Sequence, residues 1–458
     1  MDLMDYWRVF LKFLMNKKNI KLNNFKIPDL GDEIYGLAKE LFPINRSLTG
    51  DGVRQSLKII KKHLPNLKIR EIKSGTKVFD WVVPEEWNVT EAYIELDGKK
   101  IIDFKNNNLH LVSYSIPINK KMLFEDLKKH LYVNKEIPEA IPYTVSFYKK
   151  SWGFCLSYNQ YKKISVLKNK KFKVVINSIF KKKGSMTYAE FILKGSSPKE
   201  ILFTSYTCHP SLGNNEVSGP TLLTFLAKFL INLKYRRYTY RFVFHPETIG
   251  AISYLSKNLR TLKKNVIAGY VLTCVGDNNS YSYMPSRNGN TLSDIVALNI
   301  LKNKKNFTKY SFLDSGSDER RYCAPGVDLP IGSVMRTKYG SYKEYHTSLD
   351  DLNFISAKGF QGSFKAYLEI IKVFENNFYF KINTICEPQL GKRGLYPQIS
   401  KWPNDDVWKE LKKLVNFTSY ADGNLNLIDL SNKTETPITD LIDIVDKLSK
   451  KRLIVNIA

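Results

Sequence analysis

Cysteine and histidine are scarce in this chain of 458 residues, which has five of the first and six of the second. The cysteines (Cys155, Cys208, Cys274, Cys323 and Cys386) are odd in number, scattered, and form no CxxC pair. That pattern excludes a disulfide framework and suits a reducing compartment. Long apolar runs are missing too, so no membrane span is expected, since a spanning helix needs about 20 predominantly apolar residues. The apolar stretch from Met4 to Met15 is broken by Asp5, Arg8 and Lys12 and lacks a small-residue cleavage site. It reads as an amphipathic helix carrying Tyr6, Phe10, Phe13 and Leu14, not as a signal peptide, and a cytoplasmic protein is expected. Acidic residues are outnumbered, 44 against 71 basic ones, for a formal net charge of +27. Such a charge invites a nucleic-acid or anionic-surface reading. Lys, Asn and Ile are used heavily throughout, however, and a solvated lysine-rich surface is the preferred explanation.

What is present is a large stock of core residues. Hydrophobic residues make up 43% and aromatics 13%. Together they exclude a disordered or fibrous chain. The length suggests about three domains.

Four units are expected. Residues 1–31 hold the N-terminal amphipathic helix. Residues 32–75 and 166–383 form an α/β domain, in which strands such as Ile201 to Tyr206, Arg241 to Phe244 and Val266 to Cys274 alternate with helices. Those helices are Pro220 to Leu233, Ala251 to Leu259, Thr291 to Leu301 and Ala357 to Phe374. The rhythm predicts a doubly wound, mostly parallel sheet, with the site beyond the carboxyl ends of the strands. Residues 76–165 carry short β-type runs (Val78 to Val83, Ala92 to Leu96, Leu109 to Tyr114, Tyr143 to Phe147) and read as an inserted β-rich domain. Residues 384–458 suggest a winged helix: a helix from Asp405 to Leu414, a strand from Asn424 to Leu430, a helix starting at Pro437 and a closing strand from Leu453 to Ile457.

Chemistry-bearing residues fall at strand ends. His209 follows the strand ending at Tyr206, Glu247 follows Phe244, Asp277 follows Cys274, and His346 lies in a later loop. Two histidines and two carboxylates from four segments suit a catalytic zinc, which takes about three nitrogen or oxygen ligands and keeps a position for water. His209, Asp277 and His346 would then be ligands. Glu247 would be the base that takes a proton from the water and passes it to a leaving amine. A cysteine nucleophile formed by Cys208 and His209 is disfavoured, because adjacent side chains rarely hydrogen-bond to each other. His245, just before Pro246, reads as structural.

These segments belong to a wider set. It comprises Phe42-Pro43-Ile44-Asn45-Arg46-Ser47-Leu48-Thr49-Gly50, Asp80-Trp81-Val82-Val83-Pro84, Trp152-Gly153-Phe154-Cys155, Cys208-His209-Pro210-Ser211, Pro246-Glu247-Thr248-Ile249-Gly250, Gly276-Asp277, Gly316-Ser317-Asp318-Glu319-Arg320 and Glu344-Tyr345-His346-Thr347-Ser348. Over residue 32 to the C-terminus the chain resembles the bacterial aminopeptidase-like family related to the co-catalytic zinc aminopeptidases. The family has a peptidase-like domain, an inserted small domain and a C-terminal winged helix, and is often encoded among polysaccharide-biosynthesis genes. The resemblance implies a zinc-exopeptidase-like fold and a metal-dependent hydrolase cleaving an amide bond. It places His209 and Asp277 on one zinc, His346 on the other, and Glu247 as general base.

Two departures stand out. Asn215 occupies the position of the Asp that bridges the metals, and a neutral amide does not replace a bridging carboxylate. Thr248 follows Glu247 where the wider group has a second Glu. One zinc is therefore favoured over two, with a metal-free, degenerate binding or scaffold protein as the alternative. Glu216 next door is not expected to substitute for Asn215. Arg287 and Tyr345 are candidates for substrate contact. Asp318, Glu319, Arg320 and Arg321 are either an anion site or a salt-bridge network. The substrate is expected to be a small amide, a peptide or an acylated sugar, and a homo-oligomer is open. No nucleic-acid partner is expected: from Thr384 to Arg452 there are 11 Lys or Arg against 10 Asp or Glu, too even a balance for phosphate binding.

Overall fold

The computed structural model describes residues 22–397 and 406–457; the helix expected around Tyr6 to Leu14 lies outside them. The main layer is an eight-stranded mixed sheet. Its strands are β1 (Lys68–Lys73), β2 (Ser185–Leu193), β3 (Glu200–Tyr206), β4 (Thr239–His245), β5 (Val266–Val271), β6 (Tyr281–Met284), β7 (Phe307–Lys309) and β8 (Ile331–Met335). The spatial order is β1-β2-β4-β3-β5-β8-β6-β7. The four central strands β4, β3, β5 and β8 run parallel, and antiparallel pairings join β1 to β2, β2 to β4 and β6 to β8.

Strands β3 and β4 are buried at every position, as a parallel strand covered by helices on both faces must be. Phe203 of β3 sits among Tyr240, Phe242, Tyr270 and Tyr367, with ring centroids 5.8–6.2 Å away. Such a ring contributes about 1.5–3 kcal/mol through burial. Helices Ser218–Ile231, Ile249–Asn265, Leu292–Leu301 and Ala357–Asn376 fall where the 3.6-residue periodicity places them. Strands β6, β7 and β8 carry no clear alternation in sequence and are legible only from the pairing.

A second, four-stranded antiparallel sheet joins Lys99–Asp103, Glu86–Leu96, Lys171–Lys181 and Ile118–Leu123 in that order. Its Lys171–Lys181 strand lies past residue 165, where the sequence ends the β-rich region. The run Leu109 to Tyr114 is not a strand: a 3-10 turn at Asn108–His110 leads into isolated bridges. Tyr143 to Phe147 likewise contributes only bridges. Segment 141–143 pairs instead with the loop holding His346: Tyr143 N donates to His346 O at 2.8 Å, and Ser348 N to Ile141 O at 2.9 Å.

The C-terminal unit has helices Asp406–Tyr420, Leu427–Lys433 and Ile438–Lys450 and a sheet of Tyr379–Ile382, Asp422–Asn426 and Ile454–Asn456. The strand expected from Asn424 to Leu430 ends at Asn426, because the Asn426 side chain accepts from Ile428 N and Asp429 N and starts a helix there. Leu441, Ile442, Val445 and Leu448 form the buried stripe of the Ile438–Lys450 helix. Its acidic residues are engaged: Asp440 with Lys413 at 2.7 Å, Asp443 with Asn24 at 2.8 Å, Asp446 with Lys450 at 2.7 Å. No helix among the described residues is long and apolar enough to cross a membrane.

Candidate active site

The register of the parallel strands builds the site. Tyr206 of β3 lies opposite His245 of β4, and Thr207 N continues the ladder to His245 O at 3.0 Å. The two chains leave the sheet side by side, which brings His209 and Glu247 together: Nε2 lies 3.6 Å from Glu247 Oε2. Four non-glycine residues around this rim have left-handed backbones, Ser211 (φ 43°), Thr248 (59°), Cys274 (51°) and His346 (54°). Such conformations cost of order 1–3 kcal/mol each and collect at functional sites.

After His209 the chain forms a π-helical turn, Gly213–Val217, feeding the Ser218–Ile231 helix. Asp350 caps it, accepting from Asn214 N at 2.5 Å and Asn215 N at 3.0 Å, while burial pushes its carboxyl up to about 7. A Cβ on Gly213 would lie 2.4 Å from Asp351 O, so only glycine fits. The turn delivers Glu216 to His209, with Oε2 2.7 Å from Nδ1. Arg46 lies behind them, its Nε 3.5 Å from Glu216 Oε1 and 3.0 Å from His209 O. Neither Glu216 nor Arg46 is legible as a site residue in the sequence, because the turn that aims Glu216 has no sequence signature.

Protonation follows from these contacts. Burial disfavours a charged His209 ring, but Tyr143, Cys208 and Glu216 outweigh it and hold its pKa well above the ordinary value. Burial and the neighbouring His209 push His346 down to about 3, so its ring is neutral. The His209 and His346 rings lie 5.6 Å apart, and Tyr143 packs against both at 5.0 and 5.2 Å. Tyr345 stacks on His346 at 3.9 Å. Tyr143, from the segment paired to the His346 loop, carried no signal in the sequence. Cys208 Sγ does reach His209 Nδ1, at 3.4 Å, although the two are adjacent, but burial pushes the thiol up to about 11 and leaves no thiolate nucleophile at neutral pH.

Glu247 is fixed by Ser317 Oγ, which donates to Oε1 at 2.5 Å. The neighbouring cluster shapes this loop and is not a salt-bridge network. Asp318 Oδ1 accepts from Thr248 N at 2.8 Å, Glu319 accepts from Tyr339 Oη, and Arg321 reaches Thr248 Oγ1 at 3.0 Å. Arg320 donates to backbone carbonyls of Ser315 and Leu313.

Two expected site residues are placed otherwise. Asp277 receives Asn214 Nδ2, Thr337 N, Thr337 Oγ1 and Asn279 N at 2.7–2.9 Å, which occupies the whole carboxylate. It ties the π-turn to the loops after β5 and β8 and keeps no lone pair for a metal. Arg287 pairs with Asp328 at 2.8 Å on the surface, away from these groups.

The donor set decides which metals fit. Among the described residues, Cys208, His209 and Glu216 form the one group of three donor residues with ligand atoms within 4.8 Å of one another. Arg46 already supplies a positive charge there, as an ion pair with Glu216 at 3.5 Å. A metal pair does not fit: Asn215 is neutral, Asp277 is saturated, and Thr248 offers no carboxylate. One zinc fits the donor chemistry of His209 Nε2, His346 and Asn215 Oδ1. That amide oxygen is buried and has no hydrogen-bond partner, while its Nδ2 donates to Tyr206 Oη at 2.9 Å. Glu216 on Nδ1 would orient the His209 ring, as carboxylates do behind metal-bound histidines.

His245 is structural, as its sequence position suggests. Its Nδ1 donates to Pro246 O at 3.0 Å, and its Nε2 lies 2.9 Å from both Thr204 Oγ1 and Tyr322 Oη. Burial lowers its pKa from 6.5 to about 4. The unfolded chain therefore takes up a proton between pH 6.5 and 4 that the folded chain refuses, so stability falls on acidification across that window. Denaturant titrations from pH 7 to 4 should show a loss of roughly 3 kcal/mol from this residue, with the slope flattened in His245→Gln.

A mixed α/β sheet with its polar cluster at the carboxyl ends of the parallel strands is the architecture of an open α/β fold, and its likeness is to aminopeptidase-like proteins. The chain belongs to the family described as a domain of unknown function (DUF4910), which matches residues 35–377, and a winged helix-turn-helix matches residues 377–456. A Clostridium acetobutylicum relative, named as a candidate polysaccharide biosynthesis protein with an aminopeptidase-like domain, is 44% identical over 412 residues, covering 89% of this chain and 92% of its own. The crystal structure of a candidate peptidase from Clostridium acetobutylicum superposes with a TM-score of 0.86 at 40% identity, covering 98% of this chain and all of that one. A zinc aminopeptidase from Bacillus subtilis follows at TM-score 0.55 and 12% identity, covering 77% of this chain and 96% of its own. A peptidase M28 precursor from Shewanella amazonensis has TM-score 0.54 and 12% identity, covering 79% and 95%. The last two share the fold.

Proposed function

We propose that the chain is an amide hydrolase working with a single zinc, held by His209, His346 and Asn215, with Glu247 as general base. The observation that carries this reading is the His209 Nε2–Glu247 Oε2 approach of 3.6 Å, and a buried Asn215 oxygen without a hydrogen-bond partner supports it. When bound, zinc would lower the pKa of a water toward about 7 and polarise the amide carbonyl. Glu247, steadied by Ser317, takes the proton of the attacking water and returns it to the leaving amine. Glu216 holds the His209 ring and Arg46 its carbonyl, and Tyr143 and Tyr345 pack against the histidine rings. The substrate is a small amide, a peptide or an acylated sugar, and the relative named for polysaccharide biosynthesis favours the last.

The test is elemental analysis of protein purified without added metal, alongside His209→Ala. About one zinc per chain, lost in the variant, is expected. Two per chain would mean that Asn215 and Asp277 have been misread. No zinc even after supplementation would overturn the hydrolase and leave the degenerate binding protein, the reading favoured by the neutral Asn215 and the saturated Asp277.

A further inference from the structure

A separate cavity of about 680 Å³ opens beside the loops after β5 and β8 and the start of the Ala357–Asn376 helix. Arg336, Lys305, Lys358 and Lys365 line it, together with Tyr281, Asn278, Asp29 and Asp32. It shares no residue with the cluster around His209 and Glu247. Arg336 is 4% exposed. Its guanidinium carbon lies over Tyr281, 3.9 Å from the ring centroid, and Nη2 donates to Asn278 Oδ1 at 3.0 Å. Its Nε is buried with no hydrogen-bond partner. Among the described residues no carboxylate pairs with Arg336, Lys305, Lys358 or Lys365. A buried charge without a counter-charge is costly. A guanidinium that is walled in, set over an aromatic ring and left without an anion is arranged to receive one. Gly362 keeps the space open, since a Cβ there would come within 2.6 Å of Nη1. The helix adds its amino-terminal dipole on the same wall, through Ala357 and Lys358.

We propose that this cavity binds a phosphorylated small molecule. The planar guanidinium suits two phosphate oxygens, the three lysines supply further charge at the rim, and the volume leaves room for the organic part of a phosphate ester. Asp29 and Asp32 leave the wall net positive and offer acceptors for hydroxyl groups on that part. The proposal does not depend on the hydrolase reading.

Isothermal titration of the full chain with pyrophosphate tests it, with malonate as a second titrant. Saturable one-site binding of pyrophosphate is expected, weakened about 10-fold or more by Arg336→Gln, since a charge-assisted hydrogen bond is worth about 1.5–3 kcal/mol. Lys358→Gln/Lys365→Gln, both exposed and therefore safe for folding, should weaken it about 5-fold and carries the test if Arg336→Gln does not fold. Lys182→Gln/Lys183→Gln, at an exposed turn, should leave it unchanged and so separates site binding from the general charge of the chain. No saturable heat up to about 10 mM, equal affinity in the cavity variants, or malonate binding as tightly as pyrophosphate would each overturn the proposal.

Discussion

Glu216→Gln is expected to destabilise the chain by about 3–5 kcal/mol, because it strips the counter-charge from a buried cation while leaving the shape of the core unchanged. The Glu216 side chain is fully buried and serves two partners, His209 Nδ1 at 2.7 Å and Arg46 Nε at 3.5 Å. Arg46 is buried as well, and burial lowers its pKa against the opposing pull of Glu216 and Cys208. Its other bonds go to neutral acceptors: His209 O, Leu41 O and Ser56 Oγ. Glutamine matches glutamate in volume, so no cavity term enters, and the loss is electrostatic. Chemical denaturation of Glu216→Gln, Arg46→Met and the double variant measures the coupling. The double variant should lose less than the sum of the singles, because it leaves neither charge alone. A loss under about 1 kcal/mol for Glu216→Gln would show that the pair is not what holds the turn.

That prediction rests on a contact the sequence did not disclose, and the reason is geometric. Strand ends were legible: apolar runs bounded by polar loops placed His209 three residues past Tyr206 and Glu247 two past His245, and parallel pairing then put them together. The route from His209 to Glu216 was not legible, because a π-helical turn shifts side-chain directions by one residue relative to an α-helical start. Asn215 therefore turns to Tyr206, and Glu216 takes the place at His209. Asp277 illustrates the opposite error. Its position after β5 is right for a ligand, but four donors from three separate loops converge on it, and long-range donors cannot be read from spacing. Tyr143 and Arg46 reach the site from distant segments, which only the tertiary fold brings near. In the C-terminal unit the helical periodicity was reliable, whereas the Asn426 cap cut short a strand that composition alone would have extended.

Glu247→Gln should separate chemistry from stability by moving them in opposite directions. If Glu247 is the general base proposed above, it supplies a factor of about 10²–10⁴ in turnover that glutamine cannot. Hydrolysis of an aminoacyl arylamide by zinc-supplemented protein should fall by that factor, while the hydrogen bond from Ser317 survives on the amide oxygen. Folding responds through Asp318, whose fully buried carboxyl has one unpartnered oxygen and a pKa held well above the ordinary value, first by burial and then by the charge of Glu247. A carboxyl with a raised folded pKa gives stability that is present in acid and lost as the pH climbs through that pKa. Neutralising Glu247 brings the Asp318 pKa down, so less is lost at neutral pH. The variant should therefore unfold at a higher denaturant concentration than the parent near pH 7–8, and the difference should shrink as the pH falls and Asp318 is protonated in parent and variant alike. Turnover that survives in Glu247→Gln removes Glu247 as the base whatever the stability result. A variant less stable than the parent at neutral pH would mean that Glu247 and Asp318 share a proton, and that the charge of Glu247 stabilises its loop.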